Sequence, residues 1–419
     1  MEKDGQKSKN NESSNYAVFS THSASLIKRP KTPNLNFQNG RKKIAFLILP
    51  LACLLMGVGG GLIGASIYNK DYSRAVSTEA KQRFISNESE LISDIAKNVG
   101  QAVVSINVKS QVNSRDVFGF SQPSSQESAG TGFIITLDGV IMTNRHVVPA
   151  ASSSVSVTLA DGARFDNVEV IGRTSESSSL DIAFLKIKDL KGKKLTKISI
   201  GNSTKVKVGD KVIAIGNALG QFQNTVTSGI ISGYGRDVTA GDGTGNASRL
   251  DDLFQTDAAI NEGNSGGPLV NINGEVIGVN TAIAGGAQNI GFAIPIDDTK
   301  GLISSVLETG KLRQPYLGVR YVSLTDDIAF QYSLNIKRGA YIVPSTEGGP
   351  SILIGSPAEK AGLREKDVIT KINNTSIDDK TSLTGVLGKF KVGSKVNLQV
   401  WRDGKYLSVP IVLESVPEN

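Results

Sequence analysis

Along this 419-residue chain the spacing of apolar side chains changes character several times. Residues 1–43, mostly Asn, Ser and Lys, show no sustained apolar period and predict a disordered, solvated tail. Residues 44–68 are an uncharged run, broken only by Pro50 and several glycines, and they approach the ~20 apolar residues that a bilayer-spanning helix needs. This predicts one N-terminal transmembrane helix over 44–68, followed by a linker over 69–87. Leu91, Ile92, Ile95, Ala96 and Val99 then recur at helical spacing behind Ser86 or Asn87 as a cap, so a short amphipathic helix leads into the first domain. Beyond it, apolar segments of strand length (102–108, 132–136, 140–143, 155–159, 183–187, 211–215, 229–233, 268–270 and 276–280 among them) alternate with turn residues. Asp161-Gly162 and Asn273-Gly274 have the composition of hairpin turns. The pattern is mainly β, a barrel or sandwich over 88–310 that ends in a helix at 299–308 and a Gly310-Lys311 turn. A second domain spans 314–415. The polar, Gly/Ser-rich segments 114–129 and 237–248 carry no apolar rhythm and read as long mobile loops.

Composition sharpens this picture. With 45 Gly and 13 Pro against 6% aromatic residues, the chain suits short strands and tight turns better than a helical bundle. The formal net charge of +7 would point to a nucleic-acid partner if it covered a folded face, but the residues before 44 supply six of those charges. The remainder is close to neutral and offers no basic face for phosphates. Arg41, Lys42 and Lys43 abut the apolar run, which places the tail in the cytoplasm and everything after Asn69 outside the cell membrane. A cleaved signal peptide fits less well, because the run is long for an h-region and so is the tail before it. The single cysteine, Cys53, lies in that run and can form no intrachain disulfide, and a lipoprotein reading through it lacks the leucine three residues earlier. Only two histidines, His22 and His146, are present, so no metal site and no cofactor are expected.

The strongest chemical signal is Gly263-Asn264-Ser265-Gly266-Gly267-Pro268-Leu269, where glycines surround one serine just before an apolar strand. Such a backbone turns sharply, exposes the hydroxyl, and can aim the Gly263 and Ser265 N–H groups at one point, as a tetrahedral oxyanion requires. A plain Gly/Ser turn looks similar, so the motif means little without a base. His146, in Thr143-Asn144-Arg145-His146-Val147-Val148, is the only histidine outside the tail. A lone histidine is more often a core or surface residue than a catalyst; the serine motif reverses that weighting. Asp181, set directly before the apolar strand that begins at Ala183, is the best candidate to fix the imidazole tautomer. Asp138, Asp161 and Asp210 look like turn or loop residues instead. The order His, Asp, Ser is that of chymotrypsin and differs from subtilisin and the α/β-hydrolases.

These motifs, with Leu180 to Lys186, Gln255 to Asn261, Ile215-Gly216-Asn217 and Gly291-Phe292-Ala293-Ile294-Pro295, resemble the HtrA/Deg serine proteases from about residue 88 to the C-terminus. The resemblance implies a chymotrypsin-like double β-barrel protease domain followed by a PDZ domain, catalytic residues His146, Asp181 and Ser265, and an oxyanion hole at Gly263, Asn264 and Ser265. Glu262 and Ala218 replace two prolines usual in the family, which alters loop stiffness and not the reacting groups. Asn264 lacks the charge that a zymogen pairs with a new N-terminus, so activation resembles the family's on/off loop switching. Ala259, where a trypsin-like enzyme carries an aspartate, together with Ile260 implies a shallow apolar specificity pocket. Tyr316-Leu317-Gly318-Val319 resembles the carboxylate-binding loop of PDZ domains, with Leu383, Val386 and Leu387 at helical spacing as groove or core residues. The implied partners are unfolded or misfolded proteins, peptides with free C-termini and two further copies of the chain in a homotrimer.

The leading expectation is a membrane-anchored extracytoplasmic endoprotease of stress response and protein quality control. The alternative is a PDZ-bearing chaperone or scaffold with an inactive protease-like domain, against which the complete His, Asp, Ser and Gly set argues. An esterase fits less well, because here the serine leads into a strand and not into the strand-to-helix elbow of that class.

Overall fold

The computed structural model describes residues 53–61, 78–115, 121–150, 152–176, 178–218, 222–241, 247–261, 263–283, 289–345, 349–378 and 380–417. The tail 1–43 and Glu262 lie outside them. Of the expected membrane helix, residues 53–61 are described; they are helical, with Leu54, Leu55, Met56 and Val58 exposed. Among the described residues no helix is long and apolar enough to cross a membrane.

The amphipathic helix is longer than its apolar spacing implied. It runs Thr78–Gly100, so neither Ser86 nor Asn87 caps it and the linker is shorter than 69–87. Glu79, Ala80, Lys81 and Gln82 are good helix formers and extend it past the first core contact. Ile95 and Val99 are buried in the protease core, and Lys211 pairs with Glu88 at 2.5 Å.

Two seven-stranded sheets make the first domain. The first has the order Arg164–Phe165, Ser152–Thr158, Val103–Arg115, Ser121–Ile134, Val140–Thr143, Ala183–Ile187 and Val168–Arg173. In the second, Pro268–Val270 pairs with both Lys211–Ala218 and Glu275–Ile283, which closes that sheet on itself. Strand alternation distributes the core. In Lys211–Ala218, Val212 and Ala214 belong to the second sheet's own cluster, whereas Ile213 and Ile215 join Phe133, Met142 and Phe184 of the first sheet in a shared cluster. The seam between the sheets is therefore solid, and the ends of Val140–Thr143 and the turn before Pro268–Val270 meet across it.

The segments 114–129 and 237–248 are not irregular loops where they are described. Val103–Arg115 pairs with Ser121–Ile134 in unbroken register from Val103↔Phe133 to Arg115↔Ser121. Phe222–Gly241 likewise pairs with Ala247–Thr256 out to Gly241↔Ala247, through three register shifts. Main-chain hydrogen bonds continue a ladder without apolar side chains, so the hairpins outrun the hydrophobic pattern that marks their inner halves. The tips, 116–120 and 242–246, lie outside the described residues.

The helix Lys300–Thr309 ends on Gly310 in the left-handed region (φ 69°) and leads into the second domain. There Tyr321–Ser323, Ala340–Ile342, Val368–Ile372, Lys395–Arg402 and Lys405–Val412 form one sheet in that order, and Pro315–Tyr316 pairs with Glu414–Ser415. Leu317, Ile369, Leu383, Val386 and Leu398 are among the buried residues of its core.

Candidate active site

His146 stands just beyond strand Val140–Thr143, Asp181 just before strand Ala183–Ile187, and these two strands are neighbours in register Thr143↔Ala183. Pairing thus fixes the base and the acid side by side before any side-chain contact forms. Ser265 arrives from the second sheet, where Gly266 has φ 82° and a Cβ there would come within 2.3 Å of the Thr131 carbonyl oxygen. Only glycine fits so close to the neighbouring strand.

The three residues converge. His146 Nδ1 lies 2.5 Å from Asp181 Oδ2 and His146 Nε2 lies 2.9 Å from Ser265 Oγ. Asp181 Oδ1 also accepts the backbone N–H of His146 at 3.1 Å, and Oδ2 accepts the Thr281 hydroxyl at 3.0 Å. The carboxylate is therefore buried but well supplied with donors. Loss of water around the imidazole, whose side chain is still 48% exposed, works against its charge, but Asp181, through its charge and its hydrogen bond, outweighs that and the opposing charge of Arg145, so His146 titrates above 6.5. For Asp181 burial pushes upward, and His146 and then Arg145 hold it below 3.8. A carboxylate kept ionised against a basic imidazole is the electrostatic arrangement that proton abstraction from a hydroxyl needs.

Sequence pattern did not mark several of the supporting residues. Thr281 supports Asp181, and its carbonyl oxygen also lies 3.2 Å from Ser265 Oγ. Buried Asn144 donates to the Asp181 carbonyl at 2.8 Å and has its side-chain oxygen 3.3 Å from Ser265 Oγ. Thr131 accepts from Asn217 N (2.9 Å), donates its hydroxyl to the Gly263 carbonyl (2.8 Å) and donates its N–H to the Ser265 carbonyl (3.0 Å). These are ordinary strand and turn residues; they become visible only once the strands are paired.

The expected oxyanion donors are brought together but not left free. The Ser265 and Asn264 N–H groups both donate to the Asn261 carbonyl, at 3.0 and 3.1 Å, and the Gly263 N–H donates to Asn261 Oδ1 at 3.0 Å. The bonds from Asn264 and Ser265 to the Asn261 carbonyl have the i→i−3 and i→i−4 spacing of a helix, and such bonds consume the N–H groups that an oxyanion would use. Of the two pocket residues, Ala259 is exposed and its carbonyl accepts from Thr227 and Asn264 side chains. Ile260 is instead buried in the second sheet's core, and a Cβ on Gly291 would come within 2.4 Å of it, so Ile260 forms no open pocket wall here.

In the second domain, Gly318 has φ 82° and lies so close to Ser356 that only glycine fits, while the Leu317 and Gly318 carbonyls accept from Ala358 and Leu353, both at 2.9 Å. Tyr316 and Val319 flank this loop half-buried. Leu383, Val386 and Leu387 share the buried core with Leu317, so in this conformation they are core side chains and not the lining of an open groove. Tyr321 bonds Thr384 of the helix Leu383–Gly388, Oη to Oγ1, at 2.8 Å.

The family model of the trypsin-like peptidase domain matches residues 130–279, and that of the PDZ domain matches residues 315–413. The putative serine protease HhoA of Synechocystis is 42% identical over 284 residues, covering 67% of this chain and 69% of the relative. The periplasmic serine endoprotease DegP of Escherichia coli is 40% identical over 294 residues, covering 69% of this chain and 58% of DegP. A probable DegP-like periplasmic serine endoprotease of Chlamydia trachomatis is 39% identical over 291 residues, 69% of this chain and 54% of the relative. The chain thus spans little more than half the length of these last two relatives. Among solved structures, the HtrA-type protease AlgW with a decapeptide has a TM-score of 0.55 at 29% identity, over 78% of this chain and 99% of that one.

Proposed function

The chain belongs to the HtrA/Deg family of serine proteases, and on that premise we propose that it is a membrane-anchored, extracytoplasmic serine endopeptidase acting on unfolded or misfolded proteins. The observation that carries the chemistry is His146 within 2.9 Å of Ser265 Oγ and 2.5 Å of Asp181. His146 takes the Ser265 proton as Oγ attacks the scissile carbonyl, and Asp181 keeps Nδ1 protonated and stabilises the imidazolium. His146 then hands the proton to the leaving amine; water next attacks the acyl carbon and gives its proton to His146, which passes it to Ser265 Oγ as the acid is released.

The Gly263 and Ser265 N–H groups supply the oxyanion hole once they are released from Asn261, so the arrangement in which Asn261 holds them is a resting state. Activation is this local rearrangement, favoured when the second domain captures a free C-terminus at Tyr316, Leu317, Gly318 and Val319. Residue 259 being alanine supports preference for small or medium aliphatic side chains before the scissile bond. Exposed Leu54, Leu55, Met56 and Val58, behind Arg41 to Lys43, support a single membrane anchor with a cytoplasmic N-terminus. A homotrimer fits the family.

The engaged N–H groups also suit a binding-only relative, and one experiment separates the two. Ser265→Ala and His146→Ala are each expected to abolish cleavage of unfolded casein with the fold intact, and fluorophosphonate is expected to label Ser265. Undiminished cleavage by Ser265→Ala would falsify the mechanism.

A further inference from the structure

Between Asn144 and His146 the chain buries a guanidinium that the mechanism above does not use. Arg145 is 3% exposed. Its Nη1 faces the carbonyl oxygens of Ser175, Ser178 (3.3 Å) and Leu180 (3.4 Å) and the Thr174 hydroxyl (3.4 Å). Its Nε lies 3.4 Å from Glu176 Oε2 and 3.9 Å from Asp181 Oδ1. Burying a cation is unfavourable unless carbonyls and carboxylates replace its water, and here both are drawn from the segment 174–181 alone. An apolar side chain would fill the same space without that demand.

We propose that Arg145 is a positioning residue for Asp181: it gathers the carbonyls of the loop that ends at the acid and sets the charge that the Asp181–His146 pair feels. The inference rests on the triad reading above. Its two parts follow from the geometry. Nη1 turns to the carbonyls while Nε, on the same rigid plane, faces the carboxylates of Glu176 and Asp181, a two-sided arrangement that the single nitrogen of a lysine ammonium cannot reproduce. The charge sits on the Oδ1 side of Asp181, while His146 Nδ1 and Thr281 hold Oδ2. The charged groups facing it are Asp181, Glu176 and His146, with Arg173 bound in turn to Glu176 at 3.1 Å. Arg145 opposes protonation of His146 and favours the ionised form of Asp181. Glu176, 71% exposed in its side chain, offsets part of that charge from the solvent side.

The test follows the His146 ring by NMR through pH in the full chain carrying Ser265→Ala, alone and with Arg145→Met, Arg145→Lys or Glu176→Gln, and measures kcat and KM in the active background. Arg145→Met is expected to move the ring titration to higher pH and to lower kcat about tenfold or more through misplacement of Asp181, with KM little changed. Arg145→Lys should return the titration toward its original position without restoring the full rate. Glu176→Gln, at an exposed site that the fold tolerates, should move the titration to lower pH, and it carries the test if Arg145→Met does not fold. A ring titration that stays in place in these variants overturns the proposal. Hydrolysis by the Ser265→Ala protein would overturn the triad reading instead, and the two failures are read from different measurements.

Discussion

Thr281 shows how much of this site rests on single hydrogen bonds from residues with no chemistry of their own. Its hydroxyl is the second donor to Asp181 Oδ2, and Asp181 is buried, so removal leaves a charged oxygen short of a partner. A hydrogen bond to a charged group contributes about 1.5–3 kcal/mol, so Thr281→Val should lower kcat/KM roughly ten- to a hundredfold with an unchanged circular dichroism spectrum. The state of His146 gives a second expectation at this scale. The base must be neutral to accept a proton, and Asp181 raises its pKa above 6.5. Activity should therefore fall away as pH drops through a limb that lies above that value, and a kcat/KM profile flat from neutral pH down to pH 6.5 would contradict the assigned charge balance.

At the scale of elements, the contacts of Asn261 with the 263–265 N–H groups bear on the resting state proposed above. Asn261 holds them in two ways, through its carbonyl to the Asn264 and Ser265 N–H groups and through Oδ1 to the Gly263 N–H. Asn261→Ala removes the side-chain hold and leaves the carbonyl. If that one bond contributes about 1 kcal/mol to the resting state, the active fraction should rise about fivefold, seen as faster basal cleavage and faster fluorophosphonate labelling of Ser265. Lower basal activity would mean that Asn261 serves the active arrangement instead. The same contacts also mark the limit of sequence reading. His146, Asp181 and Ser265 were legible because their residue types, order and glycine setting are tied to one chemistry. The same glycines that allow an oxyanion hole also allow bonds of helical spacing, and no residue type distinguishes the two. Thr131, Asn144 and Arg145 were opaque for another reason: their partners lie across strands that only tertiary pairing brings together. The outer halves of the hairpins at 103–134 and 222–256 were hidden because main-chain ladders leave no apolar period.

At the scale of the whole molecule, the helix Leu383–Gly388 packs on the protease domain as well as within its own. A Cβ on Gly388 would come within 1.8 Å of the Asp298 carbonyl oxygen, and one on Gly301 within 1.9 Å of the Phe390 carbonyl oxygen, so glycines let the two domains approach backbone to backbone. At the N-terminal end of that helix, the Ser382 N–H donates to Asp252 Oδ2 at 2.9 Å, and Asp298 lies beside the pair with Lys389 at 3.6 Å. Burial pushes Asp252 up to about 8, with the Asp298 and Asp237 charges adding to it and the Ser382 N–H and Lys389 opposing. Burial likewise pushes Asp298 up to about 7, with Asp297 adding and Lys389 opposing. Separated, each carboxyl would regain water and titrate near the ordinary 3.8. Between about pH 4 and about pH 8 the docked state therefore binds more protons than the separated one, and docking weakens as pH rises through that window before levelling off above it. Hydrogen exchange of the 383–388 amides should accordingly be slower at about pH 5 than at about pH 8, after correction for the intrinsic rate. Asp298→Asn removes one carboxyl of the pair and leaves Asp252 without its nearest like charge, so the slope should flatten. Equal protection at both pH values in the unaltered protein, or an unchanged slope in Asp298→Asn, would show that these carboxyls do not couple docking to pH.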